Sequence, residues 1–219
     1  AAAVGSARGL RALWWVLPSV ILIALAAGRS DDVGTDTSMY HGFFLGVDPT
    51  SLGDSLADIP QEMGYVTLMF VVRQWTENYR IFLIVCAALT VMPVLFAIRR
   101  ASRTPVLSVF LYIALSYYLF SFNGIRQGIA VSLVLLAETY RDDNRTAWLL
   151  LYGLAATFHV SAFFAFVAIL VARSQAARPL RLLIAAGLLS VLGALLFSIP
   201  ALGGFLNSFN DRYEEYLSS

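Results

Sequence analysis

The sequence predicts an all-α fold, a polytopic membrane helix bundle with about six membrane segments, and both composition and patterning point to it. Of the 219 residues, 59% are hydrophobic and 13% are charged. An ordinary soluble domain has about 25% charged residues, so this chain does not resemble one. The apolar residues also gather into runs that approach the roughly 20 residues a helix needs to cross a bilayer.

Six apolar runs are the candidate membrane segments. They cover residues 12–27, 81–98, 105–122, 123–137, 146–172 and 182–200. The first run resembles a signal peptide, because Ala24-Leu25-Ala26 has the form of a cleavage site. The spans that follow it favour a retained membrane segment instead. The chain 1–219 is therefore predicted to be a single transmembrane domain.

The distribution of arginine, which supplies all 15 basic residues, predicts the orientation. Basic residues in short loops favour the cytoplasmic side of a membrane. With a cytoplasmic N-terminus, 10 Arg and two acids lie inside, whereas four Arg and 11 acids lie outside. Arg126 and Glu138 belong to neither group, and Glu138 is interpreted as a helix-end charge. The net charge of +1 argues against nucleic acid as a partner.

The run 146–172 is interrupted only by His159, with 13 residues on each side. A single crossing would place Arg173 outside, whereas the positive-inside rule favours Arg145 and Arg173 together inside. A re-entrant or broken helix around His159 satisfies the rule. Thirteen helical residues reach about 20 Å, short of the ~30 Å hydrocarbon core, so His159 would lie in the outer half of the membrane. No Gly or Pro marks a bend at His159, which keeps the single crossing open.

Residues 29–62 form one long outer loop with seven acids and a single base, Arg29. Loops beyond about 12–15 residues are usually functional or disordered. Thr35 or Thr37 is expected to cap a short helix that runs through Tyr40. The alternative is a solvated acidic loop without chemistry. The Asp-x-Asp-x-Asp spacing typical of a calcium site is absent, and no metal site is predicted.

Glu62 is expected to open an interfacial helix over residues 62–76. The segment is apolar but too short to span a bilayer, so it should lie at the outer surface or dip in from it. Helical spacing puts Tyr65, Met69 and Arg73 on one face of this helix.

Arg126 stands between two apolar stretches, flanked by Asn123 and Gln127. A charged group at membrane depth costs several kcal/mol, so it is by default a functional candidate. Asn123 can cap the helix that follows, and the positive end of that helix together with Arg126 suits a phosphate group. The alternative is an interfacial arginine whose side chain extends to the lipid headgroups.

His159 is the other polar group expected at membrane depth, where its ring nitrogens need partners. His41 lies in the outer loop, so no second histidine gives a metal-ligand spacing. Ser161 follows at i+2, on a different helix face, which argues against a Ser-His hydrolase pair. The segment after the last apolar run adds Arg212, Tyr213 and Tyr216. That segment is either an interfacial belt or a wall for a polar ligand.

Five short motifs follow one another along the chain. They are Val33-Gly34-Thr35-Asp36-Thr37-x-x-Tyr40, Glu62-x-Gly64-Tyr65, Asn123-x-Ile125-Arg126-Gln127-x-Ile129-Ala130, Phe158-His159-x-Ser161-Ala162 and Arg212-Tyr213-x-x-Tyr216. Their order and spacing resemble the EpsG family of bacterial membrane proteins, over residues 29–216. Members of that family usually continue through further spans, so this chain is expected to be a fragment, a short member or half of a split protein.

The resemblance implies exopolysaccharide polymerisation in the manner of Wzy-type glycosyltransferases. These proteins join oligosaccharide units carried on polyprenyl pyrophosphate at the outer face of the bacterial cytoplasmic membrane. Displacement at the anomeric carbon needs cations for the departing pyrophosphate and a base for the acceptor proton. Arg126 would hold the pyrophosphate, helped by Gln127 and Arg212. Asp36 is the preferred base, Glu62 the second choice, and His159 an alternative base or pyrophosphate ligand.

Ten residues, nine of them in the motifs, are expected to contact substrate. They are Arg29, Thr35, Tyr40, Tyr65, Asn123, Gln127, Ser161, Arg212, Tyr213 and Tyr216. The donor carries its own activation energy, so no nucleotide or redox cofactor is implied. The implied partners are the lipid-linked oligosaccharide, membrane lipids and other polysaccharide export proteins.

Two other functions stay open from the sequence. A transporter of lipid-linked glycan would line its path with Arg126 and His159, although no inverted repeat relates the two halves of the chain. A non-catalytic scaffold of a polysaccharide synthase would tolerate changes at the five motifs.

Overall fold

The computed structural model describes residues 2–30, 33–34 and 36–173. This part of the chain contains ten α-helices and no β-strand. The helices are α1 (Ala2–Ala27), α2 (Thr37–Gly46), α3 (Leu52–Asp58), α4 (Met63–Arg73), α5 (Tyr79–Ala101), α6 (Pro105–Ala114), α7 (Tyr117–Asn123), α8 (Ile125–Glu138), α9 (Arg145–Phe158) and α10 (Ser161–Arg173). The all-α prediction is confirmed for the described residues.

The chain divides into two compact units, Ala1–Phe166 and Val167–Ser219. Almost all described residues belong to the first unit, and the fold below is that unit alone. The predicted segment 182–200 lies outside the described residues. The prediction of a single domain over the whole chain stays a prediction.

The core of the first unit is built on α5, which packs against α1 on one side and α8 on the other, while α8 packs against α9. Phe82 of α5, Ile129 of α8 and Ala155 of α9 are completely buried. Helices α5 and α8 run in the same direction, because Arg100 at the end of α5 donates from Nε to the carbonyl of Thr139, directly after α8 (3.0 Å). The short helices α2, α3 and α4 lie at the opposite end, where α5 and α8 begin.

One helix of the described chain, Tyr79–Ala101, is long and apolar enough on its own to cross a membrane. Helices α6 and α7 meet that test together but are bent by 44°. The predicted continuous segment 105–122 is therefore wrong in detail, because the helix breaks at Leu115 and Ser116. Ser116 adopts a left-handed backbone conformation, with φ of 63°, which is uncommon for a residue with a side chain.

The segment 146–172 also breaks, at His159, and the chain reverses there. Helix α9 ends at Phe158 and α10 begins at Ser161. The Phe166 ring of α10 lies 5.2 Å from the Trp148 ring and 5.0 Å from the Tyr152 ring, both in α9. In one straight helix, residues 148 and 166 would be about 27 Å apart. Residues 145–166 therefore form a helical hairpin, the alternative that the arginine distribution favoured.

The turn at His159 forms without Gly or Pro. The His159 backbone is extended, with φ of −162° and ψ of 132°, a conformation that any residue adopts. Its amide donates to the Ala155 carbonyl (3.1 Å), and its carbonyl accepts from the Ala162 amide (3.1 Å). The turn thus satisfies its main-chain groups without a special residue.

The predicted helix starts are correct in position and partly wrong in their capping residues. Helix α2 follows Asp36 as its N-cap, and the Thr37 hydroxyl donates instead to the Val33 carbonyl (2.8 Å). Thr35 lies outside the described residues. Helix α8 starts from Gly124 without a side-chain cap, whereas Asn123 is the last residue of α7. Helix α4 confirms a helix after Glu62 and ends slightly earlier than predicted, at Arg73, while its interfacial position stays a prediction.

Glu138, a helix-end charge as predicted, holds the end of α8 to the first half of α9. One carboxylate oxygen accepts from Trp148 Nε1 (2.9 Å) and from the Tyr152 hydroxyl (3.1 Å). The other oxygen pairs with Arg141 (3.3 Å). Arg100 adds an ion pair with Asp143 near the same end. Trp148 and Tyr152 are the residues against which Phe166 packs, so this network also supports the hairpin.

The hairpin predicts that both ends of 146–173 face the same side of the membrane. We expect Thr146→Cys and Arg173→Cys, each made in a Cys86→Ser background, to react with a membrane-impermeant maleimide from the cytoplasmic side. Labelling of the two positions from opposite sides would rule the hairpin out.

Candidate active site

Glu62 joins two other polar residues into one cluster. Its Oε2 forms an ion pair with Nη1 of Arg126, and its Oε1 lies 2.6 Å from Nδ1 of His159. These partners are 64 and 97 positions away in the sequence. The three side chains are only 23–25% exposed. A carboxylate, a guanidinium and an imidazole are therefore held together in a largely buried place.

Aromatic side chains form one wall of this cluster. The guanidinium of Arg126 lies 5.9 Å from the centre of the Tyr40 ring. The Tyr40 ring in turn meets the Tyr65 ring edge-on, at 5.6 Å between ring centres. Asp36, the N-cap of α2, contributes a negative charge near the Tyr40 hydroxyl, together with Glu62. Five of the predicted site residues thus lie around Arg126, namely Asp36, Tyr40, Glu62, Tyr65 and His159.

Gly64 allows Glu62 to reach His159. Glu62 precedes α4 as its N-cap, and His159 follows α9 as its C-cap. Gly64 is two residues after Glu62, and Thr157 is two residues before His159. The two backbones are so close that a Cβ atom on Gly64 would lie 2.8 Å from the Thr157 carbonyl oxygen. Any larger residue would push α4 away from α9. The sequence motif contained this glycine, but its structural role was not visible without the packing partner.

Gly34 places the outer loop against the start of α8. Its φ is +96°, a conformation that strongly favours glycine. A Cβ atom there would lie 2.7 Å from the Phe122 carbonyl oxygen and 3.0 Å from the Asn123 side-chain oxygen. This contact sets Asp36 and α2 beside the junction that carries Arg126.

The cluster lies inside the bundle, away from the first residue of α5. A Cβ atom on Gly128 would lie 3.6 Å from the Thr90 side chain, so these two residues are at the same level. Thr90 is 11 residues into α5, or about 16 Å along it. Arg126, two residues earlier than Gly128 in α8, therefore lies roughly 13 Å from the start of α5.

The comparisons with known proteins give a family. The EpsG family model matches residues 12–219, nearly the whole chain. The chain belongs to the EpsG family. No curated protein and no solved structure is detectably similar to it. Family membership supports a membrane location and a role in exopolysaccharide polymerisation, and the predicted resemblance is confirmed.

Opposing effects set the pKa of Glu62 in this EpsG protein. Burial raises the pKa of Glu62, but the hydrogen bond with His159 and the charge of Arg126 outweigh it, so the pKa lies below its usual value. A lowered carboxyl pKa stabilises the fold above the usual pKa of about 4.3, and this contribution is lost as the pH falls through the lowered value. Glu62 is therefore a carboxylate at neutral pH.

Tyr40 stays a neutral phenol beside this charge. Burial raises the pKa of its hydroxyl, and the charge of Arg126 lowers it by less. The hydroxyl can therefore donate a hydrogen bond to an anion at neutral pH.

The other residues predicted to contact substrate differ in their position relative to the cluster. Gln127 and Ser161 are half-buried and follow Arg126 and His159 in the chain. Arg29 is buried elsewhere, where Nη1 donates to the Ala26 carbonyl (3.1 Å) at the end of α1 and the guanidinium lies 5.0 Å from the Phe122 ring. Four predicted contacts lie outside the described residues: Thr35, Arg212, Tyr213 and Tyr216. The substrate-contact roles of all these residues stay predictions.

Within the described residues, no group of three His, Cys, Asp or Glu side chains converges on a point where a metal ion could bind. The cluster itself brings together one guanidinium, one imidazole and one carboxylate, with the Tyr40 phenol beside them.

Replacing Gly64 tests whether the α4–α9 contact builds the cluster. We expect Gly64→Ala to lower the free energy of unfolding by about 1–3 kcal/mol, because the added methyl overpacks a tight contact. Thermal unfolding of the purified protein in detergent measures this. Gly153→Ala is the matched control in α9, since a Cβ atom there meets nothing within 4 Å. Equal stability of both variants would contradict the role given to Gly64.

Proposed function

We propose that the chain is a Wzy-like glycosyltransferase that joins polyprenyl-pyrophosphate-linked oligosaccharide units into an extracellular polysaccharide. The observation that carries this proposal is the cluster of Glu62, Arg126 and His159, which unites a phosphate-binding group with a base. Family membership supports the same reaction. The transporter and scaffold alternatives require no base beside the cation.

Arg126 is the proposed ligand of the donor's pyrophosphate. It is the second residue of α8, whose N-cap is Gly124 and whose first turn carries no side-chain cap. The positive end of this 14-residue helix favours an anion at this place. The guanidinium adds a planar pair of donors that fits phosphate oxygens. The neutral Tyr40 hydroxyl supplies a further donor.

His159 is the base best supported by the geometry. Glu62 accepts from Nδ1 of the imidazole, which fixes a tautomer with a proton on Nδ1 and a free electron pair on Nε2. Glu62 itself is a poor base, because both of its oxygens already interact with cationic or donor groups. Asp36 remains the second candidate, since it lies at the same wall of the cluster.

The reaction is a displacement at the anomeric carbon of the donor. The acceptor hydroxyl oxygen forms the new glycosidic bond while the bond from that carbon to the pyrophosphate oxygen breaks. The acceptor proton passes to Nε2 of His159, and the leaving polyprenyl pyrophosphate stays paired with Arg126. The bonding electrons leave with the pyrophosphate, so no nucleotide or redox cofactor takes part.

The site is proposed to face outward from the bacterial cytoplasmic membrane, in a multi-pass chain with a cytoplasmic N-terminus. The two ends of the bundle differ in charge in the way this orientation requires. Arg99, Arg100 and Arg141 lie at the end away from the cluster, whereas the acidic segment 36–62 covers the end that holds it.

Two variants test the assignment through polymer length in cells. Arg126→Lys keeps the charge but loses the planar fork, so we expect much shorter polymer. His159→Asn keeps a side-chain amide that can donate to Glu62 and lacks the base, so we expect turnover to fall about 10²–10⁴-fold. Arg73→Lys is the matched control, an outer arginine that pairs with Glu77 (3.3 Å) away from the cluster.

The outcome separates the candidates for the base. Full-length polymer from both site variants, at normal expression, would remove Arg126 and His159 from the reaction. Normal polymer from His159→Asn together with none from Asp36→Asn would move the role of base to Asp36.

A further inference from the structure

Glu62 is paired with the guanidinium of Arg126, the group that the proposed function assigns to the pyrophosphate of the donor. Its Oε2 is paired with Nη1 of Arg126, while its Oε1 is bound to Nδ1 of His159. One carboxylate therefore bridges the proposed phosphate ligand and the proposed base. A pyrophosphate on Arg126 would meet this carboxylate at the same nitrogen.

We propose that Glu62 is an internal occupant of the phosphate site, which the donor pyrophosphate displaces from Arg126 while Glu62 stays bound to His159. Glu62 is then a positioning residue that links donor binding to the base. This proposal rests on the proposed function, because it requires Arg126 to be the pyrophosphate ligand.

Electrostatics favours the exchange in this direction. The single carboxylate balances Arg126 in the absence of substrate, which avoids an unpaired charge in a largely buried place. A pyrophosphate brings more negative charge and several acceptor oxygens to the same guanidinium. The Nε atom of Arg126 is buried without a hydrogen-bond partner among the described residues, so a single carboxylate does not satisfy the whole guanidinium.

The two hydrogen-bonding atoms of Glu62 make the coupling directional. When Oε2 is released from Arg126, the negative charge of Glu62 interacts with His159 alone. A carboxylate on Nδ1 stabilises the imidazolium that forms when Nε2 takes the acceptor proton. Donor binding thus gives the orienting carboxylate wholly to His159 at the moment the donor is in place.

The exchange predicts opposite effects on binding and on turnover. The probe is inorganic pyrophosphate, titrated calorimetrically into the purified full chain in detergent. We expect Glu62→Gln to bind it about five- to tenfold more tightly than the original chain, because the competing carboxylate is gone. Glu62→Ala should shift the affinity in the same direction. Polymerisation by both variants should fall, because His159 loses the carboxylate on Nδ1.

Glu77→Gln is the matched control for the change in charge. Glu77 is an exposed outer acid that pairs with Arg73, four residues earlier. We expect the Glu77→Gln variant to bind pyrophosphate and to polymerise glycan as the original chain does. Thermal unfolding of each variant confirms that it is folded before titration.

Two further results distinguish the failure of this proposal from failure of the proposed function. Weaker or unchanged pyrophosphate binding by folded Glu62→Gln and Glu62→Ala would overturn the exchange and leave Arg126 as the phosphate ligand. Pyrophosphate binding that is unaffected by Arg126→Gln would instead overturn the phosphate site itself.

Discussion

The cluster depends on one carboxylate that satisfies two partners in a largely buried place. Glu62 pairs with Arg126 through one oxygen and with His159 through the other. An arginine at this depth without an acid would be costly, and a histidine in a broken helix would lack an orienting partner. The ion pair and the hydrogen bond therefore fix the relative positions of α4, α8 and the turn after α9.

The fold places these three residues together through breaks in helices. The chain reverses at His159, α8 begins anew at Gly124, and α4 starts directly after Glu62. Helix ends expose main-chain groups, so polar side chains gather where these helices start or stop. Gly64 and Gly34 then permit the close backbone contacts that hold α4 against α9 and the segment before α2 against the junction of α7 and α8.

The sequence identified the residues of the cluster but not the contacts between them. Arg126 and His159 stood out because polar groups inside apolar runs need a reason, and Glu62 was identified at the start of an apolar helix. Their mutual contact joins positions 64 and 97 apart, which no local pattern encodes. The bend at Leu115–Ser116 and the cap at Gly124 were missed for a related reason, since both depend on tertiary packing.

The most direct measurement uses the purified chain in proteoliposomes with an oligosaccharide on polyprenyl pyrophosphate, and scores both glycan length and the release of free polyprenyl pyrophosphate. A polymerase lengthens the glycan and releases one carrier for each bond formed, without added nucleotide, and that is the result we expect. Movement of the donor across the bilayer with no longer glycan and no free carrier would contradict the central claim, because it would show transport without bond formation.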